Sequence, residues 1–230
     1  MYRGKDIGGR EKLIQTCLSI LVEGKDQKLY EVLPHISIVR SPLFLEPLLQ
    51  LLQSRNRNQK EFAAVALGSL GDAQAIEPLY KVFVEPSTFR GKGSQSLQAS
   101  IIHALGEVGD GQAIEPLQAI YKREGNAAVR RKAWVLSALG NLAQQGNVGA
   151  VKELTRVMKE KAPALRAQAV QELAVAYWHR PNQVPETVFH VMTVLAGDDS
   201  DEVRGAALAA LSDLGQLGCQ AAEQYIQPAE

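Results

Sequence analysis

The stretch Ala104-Leu-Gly-Glu-Val-Gly-Asp-Gly-Gln-Ala-Ile-Glu-Pro-Leu117 repeats, almost letter for letter, Ala66-Leu-Gly-Ser-Leu-Gly-Asp-Ala-Gln-Ala-Ile-Glu-Pro-Leu79. Fainter copies align on the same leucine, so that Leu67, Leu105, Leu139, Leu173 and Leu211 stand 38, 34, 34 and 38 residues apart. A period of this length holds two amphipathic helices. Such a pair cannot bury its own apolar face, so neighbours must stack. The sequence therefore predicts an all-α fold, a right-handed α-α superhelix or α-solenoid of about five to six helix pairs, with a long surface offered to partners.

Each copy carries its own punctuation. Leu70-Gly71 is a helix stop, since glycine tolerates positive φ, and the Asp72 carboxylate can cap the next helix. Ile76-Glu-Pro-Leu79 then opens a first helix, with its proline near the first turn. Two units are four residues longer than the 34-residue norm, the extra residues falling in polar turns at 85–94 and 179–185. Residues 11–23 and 27–39 read as two weaker helices, the continuity of the second being in doubt at Pro34. The organisation expected is residues 1–40 as N-terminal capping helices, a degenerate repeat, and 41–230 as the repeat array, closed by an unpaired helix at 221–226.

Composition narrows the function. With 25 Lys and Arg against 25 Asp and Glu, no bulk positive field draws the chain to nucleic acid. No apolar run reaches the roughly 20 residues that span a bilayer, which argues against membrane insertion. Met1 to Arg10 lacks the apolar core of a signal peptide. Cys17 and Cys219 are the only cysteines, near opposite ends of a long array, so a reducing, cytoplasmic setting is expected.

Taking the recurring leucine as zero, at 100° per residue, positions −4, −3, 0, +3 and +4 form one stripe, the expected core face of each second helix. Positions −6 and −1 are mostly small and let helices approach closely. Opposite the stripe, −5, −2 and +2 form a row expected to line the concave face. From it come the candidate partner-binding residues Phe62, Val65, Ser100, His103, Trp134 and Ser137, Phe62 and Trp134 being the aromatic anchors. Position −7 is Lys60, Gln98, Lys132, Arg166 and Arg204, expected to stitch repeats together by reaching acidic loop residues such as Asp72, Asp110, Asp199 and Asp201.

No catalytic constellation stands out, and no cofactor or metal is expected. The four histidines are scattered without metal-ligand spacing, none is followed by Glu as in the dyads of helical-repeat di-iron hydroxylases, and no Walker-type loop is present. Trp178, His179 and Arg180, following Tyr177, form the densest aromatic and basic cluster, a candidate site for a flat ligand or a partner loop.

The strings at 66–79 and 104–117, together with Asp201-Glu-Val-Arg-Gly-Ala-Ala-Leu-Ala-Ala-Leu211, resemble HEAT repeats. More narrowly, they are similar to the short HEAT-like units of phycobilisome lyase subunits. The resemblance, which covers roughly residues 41–226, implies a non-catalytic scaffold that binds another protein, as in assembly or turnover of a complex such as the phycobilisome. The alternative that it implies is a bilin lyase or lyase subunit, attaching or removing a tetrapyrrole on a phycobiliprotein beside a second HEAT-like chain. No diagnostic lyase residue is found here beyond the repeat itself.

Overall fold

The computed structural model describes residues 7–91, 93–123 and 129–226. Among the described residues there are thirteen α-helices and no strand. They alternate as first and second members of pairs: α1 (Ile7–Glu23) with α2 (Asp26–Val39), α3 (Leu45–Leu52) with α4 (Arg57–Leu70), α5 (Ile76–Val84) with α6 (Ser94–Glu107), α7 (Ile114–Arg123) with α8 (Val129–Gln144), α9 (Val148–Val157) with α10 (Pro163–Ala176), and α11 (Glu186–Leu195) with α12 (Asp201–Gln216). Helix α13 (Gln220–Ile226) follows. Two compact units are present, Met1–Pro116 and Leu117–Glu230.

Local chemistry sets these boundaries. Gly71 takes φ 74° at the end of α4 and Gly109 takes φ 76° after α6, a region that costs a side chain energy. The Asp72 and Asp110 carboxylates accept the backbone N–H groups of Gln74 and Gln112 at 2.9 and 2.7 Å, each capping a short 3₁₀ turn. Pro47, Pro78 and Pro116 are each the third residue of their α-helix, where a missing N–H removes no intrahelical bond. Helix α2 continues through Pro34, which lies on its exposed side where water can reach the interrupted bond. The longer turn after α5 is not merely polar: Thr88 is buried, and Phe89 packs edge-on against Phe83 at 5.3 Å.

The leucine-centred stripe is the core. Ala63, Ala64, Leu67 and Leu70 of α4, and Val135, Leu136, Leu139, Leu142 and Ala143 of α8, are all buried. Second helices pack directly on one another, α2 on α4 on α6 in the first unit and α8 on α10 on α12 in the second; first helices touch each other only sparsely. The glycine after the leucine explains the close seam. A Cβ on Gly68 would stand 2.8 Å from the Ala104 Cα, so only hydrogen fits between α4 and α6. One −3 residue departs from the stripe: Ile102, Leu136 and Val170 are fully buried, but Leu208 is half exposed, because no second helix follows α12 among the described residues.

Position −7 does stitch the turns, with partners other than most of those expected. Gln98 donates to the Thr88 carbonyl at 3.3 Å, and the Lys132 ammonium sits 4.6 Å from the Tyr121 ring centre. Arg166 donates to the carbonyls of Glu160 and Lys161 at 2.9 and 3.0 Å and to the Asp198 carboxylate at 2.7 Å, so one guanidinium joins its own turn to that of the following pair. Arg204 meets the Asp198 carbonyl at 2.6 Å and the Asp201 carboxylate, while Lys60 reaches Glu85 at 3.6 Å. Asp72 and Asp110 are instead used as caps. For Gln98, Arg166 and Arg204 the carbonyls of the turn before the second helix are within reach, and Arg offers enough donors to take both a carbonyl and a carboxylate.

Candidate interaction surface

In the first unit the row opposite the core stripe comes from α4 and α6. Phe62 is not a surface anchor: it is fully buried, with Tyr30 of α2 packed edge-on at 5.4 Å. Tyr30 lies outside the clear repeat and supplies the lid that closes over the −5 position. Val65 and Ser100 are half-buried, and His103 is exposed, its Nε2 3.8 Å from Glu107 one turn on. Ser96 donates to Glu61 across the α4–α6 seam. What remains open here is small or polar.

In the second unit the same row runs over α8 and α10, which lie parallel and in register, since Ala133 meets Gln168 and Ser137 meets Glu172. Trp134, near the start of α8, is half-buried with the Arg130 guanidinium 5.6 Å from its ring. Ser137 donates to Glu172 at 2.6 Å, and Gln168 donates to the Ala133 carbonyl at 2.9 Å, so the middle of the strip is a fixed hydrogen-bonded seam. Towards the other end Val175 is 49% and Trp178 45% exposed, three residues apart at the end of α10. His179 beside them is exposed.

Arg180 does not belong to an open ligand cluster. Its guanidinium caps the carbonyls of Ala143 and Gln144 at the end of α8 and stands 5.2 Å from the Tyr177 ring. Tyr177 is buried, as its place on the core stripe requires, and burial pushes its phenol above the usual value. Helix ends leave carbonyls without intrahelical donors, and one repeat period separates Arg180 from those it caps. Trp178 and His179 therefore flank a structural arginine.

Val175 and Arg130 are surface groups that the sequence reading did not single out. Val175 stood in the outward row already, at +2, and its size was the available signal; Arg130 lies four residues before Trp134, the spacing that puts a cation over a ring on one helix face. Among the described residues no group of three or more His, Cys, Asp or Glu side chains gathers to hold a metal ion. Cys17 and Cys219 are buried free thiols, and burial raises the Cys17 pKa. No helix among the described residues is long and apolar enough to cross a membrane.

The family model of HEAT repeats matches residues 45–137 and, overlapping, 87–174, a span from the start of α3 into α10 that covers more than half of the sequence. No curated protein matches the chain. The stacked helix pairs, the Leu-Gly seam and these matches agree, and the chain belongs to the HEAT-repeat family.

Proposed function

We propose that this chain is a non-catalytic, cytoplasmic scaffold that binds a protein partner through its second-helix layer. The observation that carries the reading is in the second unit, where Trp134 and Arg130 mark one end of the α8–α10 strip and Val175 and Trp178 the other, all at least partly open. Aromatic and Arg side chains supply most interface energy, and two large apolar groups exposed together on one helix end lose hydration free energy until something covers them. The seam between them is already hydrogen-bonded, so the strip is rigid before a partner arrives. Ser100 and His103, beside the half-buried Val65, give the first unit a smaller and more polar counterpart.

The test is affinity capture from the native host by the wild type and by a Trp134→Ala, Trp178→Ala double variant. Loss of the same captured protein by a folded variant is expected; equal recovery overturns the site. On its resemblance to lyase-subunit repeats we extend the proposal to a phycobiliprotein or a second HEAT-like chain as the partner, with bilin transfer as the alternative. Incubation with bilin and an apo-phycobiliprotein, alone and with a second HEAT-like chain, separates the two: a covalent visible-absorbing adduct makes the chain a lyase, and its absence leaves the scaffold.

A further inference from the structure

We propose that the cleft between α9 and α11 is a docking groove for a short acidic, apolar segment of a partner protein. It belongs to the first-helix layer and stands independently of the second-helix strip. Helices α10 and α12 pack directly together, whereas α9 and α11 touch only sparsely if at all. The opening between them holds two depressions of about 460 Å³ each, which meet at Lys159. Val151, Met158, Val188 and Val191 make an apolar floor. Two valines stand proud of it, Val148 at 79% and Val194 at 60% exposure, the largest exposures of apolar side chains in the second unit.

The charge along this cleft is one-sided. Val148, Lys152 and Thr155 recur at helical spacing on one edge of α9, and Lys159 follows in the turn just past its end, so an apolar group and two lysines border the opening. The two acids that line the depressions are already matched: Glu160 accepts from the Tyr121 hydroxyl at 2.8 Å and from Arg156 at 2.9 Å, and Asp198 from Arg166 at 2.7 Å. Among the described residues neither Lys152 nor Lys159 has a carboxylate within ion-pair distance. Complementarity therefore calls for acids on the occupant. One lysine on α9 and one in the turn after it border the same depression, which matches two acids placed apart on the docked segment. Apolar side chains between them would cover the floor. A nucleic acid would leave that floor bare, and a membrane would not fill a concave cleft.

The experiment pans a phage-displayed library of random twelve-residue peptides against the full chain. Enriched peptides, labelled with fluorescein, are then titrated by anisotropy at two salt concentrations. Expected are peptides with at least two acids flanking large apolar residues, whose Kd weakens at least tenfold with a Lys152→Gln, Lys159→Gln variant, at least fivefold with Val148→Ser, Val194→Ser, and also at higher salt. Binding to a Trp178→Ala variant stays unchanged. These substitutions are on exposed groups, and circular dichroism verifies folding of each. No enrichment, peptides without acids, or equal affinity for the glutamine variant overturns the proposal. Self-association abolished by Val148→Ser, Val194→Ser also overturns it, assigning the cleft to a second copy.

Discussion

Lys60 and Arg166 hold the same place in the two units, seven residues before the recurring leucine, and they bind differently. Lys60 meets Glu85 at 3.6 Å with Glu85 well exposed, whereas Arg166 meets a largely covered Asp198 at 2.7 Å and takes two carbonyls besides. The same contrast recurs at −5, where Phe62 is sealed beneath Tyr30 and Trp134 stays half-open beneath Arg130. It recurs again at +1: Gly68 faces the Ala104 Cα and the Cβ atoms beside it, while Gly140 faces the Glu172 side chain out to its carboxylate. In each pair the repeat decides that the position faces a neighbour, and the neighbour decides which groups meet there and how closely. At −5 the first unit seals its aromatic, although Ser96 donates to Glu61 across the α4–α6 seam. The second joins α8 to α10 through Ser137–Glu172 and Gln168–Ala133 and leaves Trp134 partly open.

The −5 pair should show the largest difference. Phe62→Ala empties a fully buried site and should lower unfolding stability by about 3–5 kcal/mol in urea titration, with the slope unchanged. Trp134→Ala removes a half-buried ring and should cost about 1 kcal/mol, while weakening partner capture. Equal losses would erase the distinction between the sealed and the open aromatic.

The −7 pair comes next. Asp198→Asn keeps the shape but removes the charge that Arg166 binds, and should cost about 1–2 kcal/mol, against about 0.5 kcal/mol for Glu85→Gln. The Arg166 hydrogen bond, then the Ser200 N–H, hold the Asp198 carboxyl below its ordinary value against the opposing effect of burial, with the charges of Arg166 and Arg204 adding to it. A carboxyl whose folded pKa is depressed stabilises the native state fully above the unfolded pKa, about 4, and loses that contribution as pH falls through the folded value. The stability gap between wild type and Asp198→Asn should therefore be constant near neutrality and narrow below about pH 4. A gap that widens on acidification would reverse the assignment.

The sequence made the core and the punctuation legible because both repeat: the stripe around Leu67 and Leu139, the Gly71 stop and the Asp72 and Asp110 caps each depend on residues within a few positions. What sits against a repeated position was not legible. Phe62 is covered by Tyr30, 32 residues earlier, in the copy too weak to align. Arg180 reaches back one period to the end of α8, so its meaning depends on a helix terminus rather than on the aromatic residues next to it. The α9–α11 cleft depends on how sparsely those two first helices touch, which leaves no mark in the sequences of the helices themselves. Trp178 stayed visible because it lies past the end of α10, where no following turn covers it.

The +1 pair carries the smaller effects. At Gly68 an added methyl lies 2.8 Å from the Ala104 Cα, so two helix backbones must separate. Overpacking costs about 1–3 kcal/mol, and replacing a mid-helix glycine returns up to about 1 kcal/mol, so Gly68→Ala should destabilise by about 1–2 kcal/mol.

At Gly140 the arithmetic nearly cancels. The atoms nearest an added Cβ belong to the Glu172 side chain, first its Oε2, then its Cδ at 3.0 Å and its Cβ at 3.2 Å. A glutamate can swing its carboxylate aside where a backbone cannot, at the loss of the 2.6 Å bond from Ser137, an exposed contact worth about 0.5–1 kcal/mol. The helix gains a similar amount from alanine, so Gly140→Ala should change stability by no more than about 0.5 kcal/mol. A double-mutant cycle separates the two contributions: in a Glu172→Ala background the hydrogen bond is already gone, and Gly140→Ala should then stabilise by about 0.5–1 kcal/mol. If Gly140→Ala is as damaging as Gly68→Ala and Glu172→Ala does not relieve it, the α8–α10 seam is as close here as the α4–α6 seam, and the contrast between the two units fails at this position.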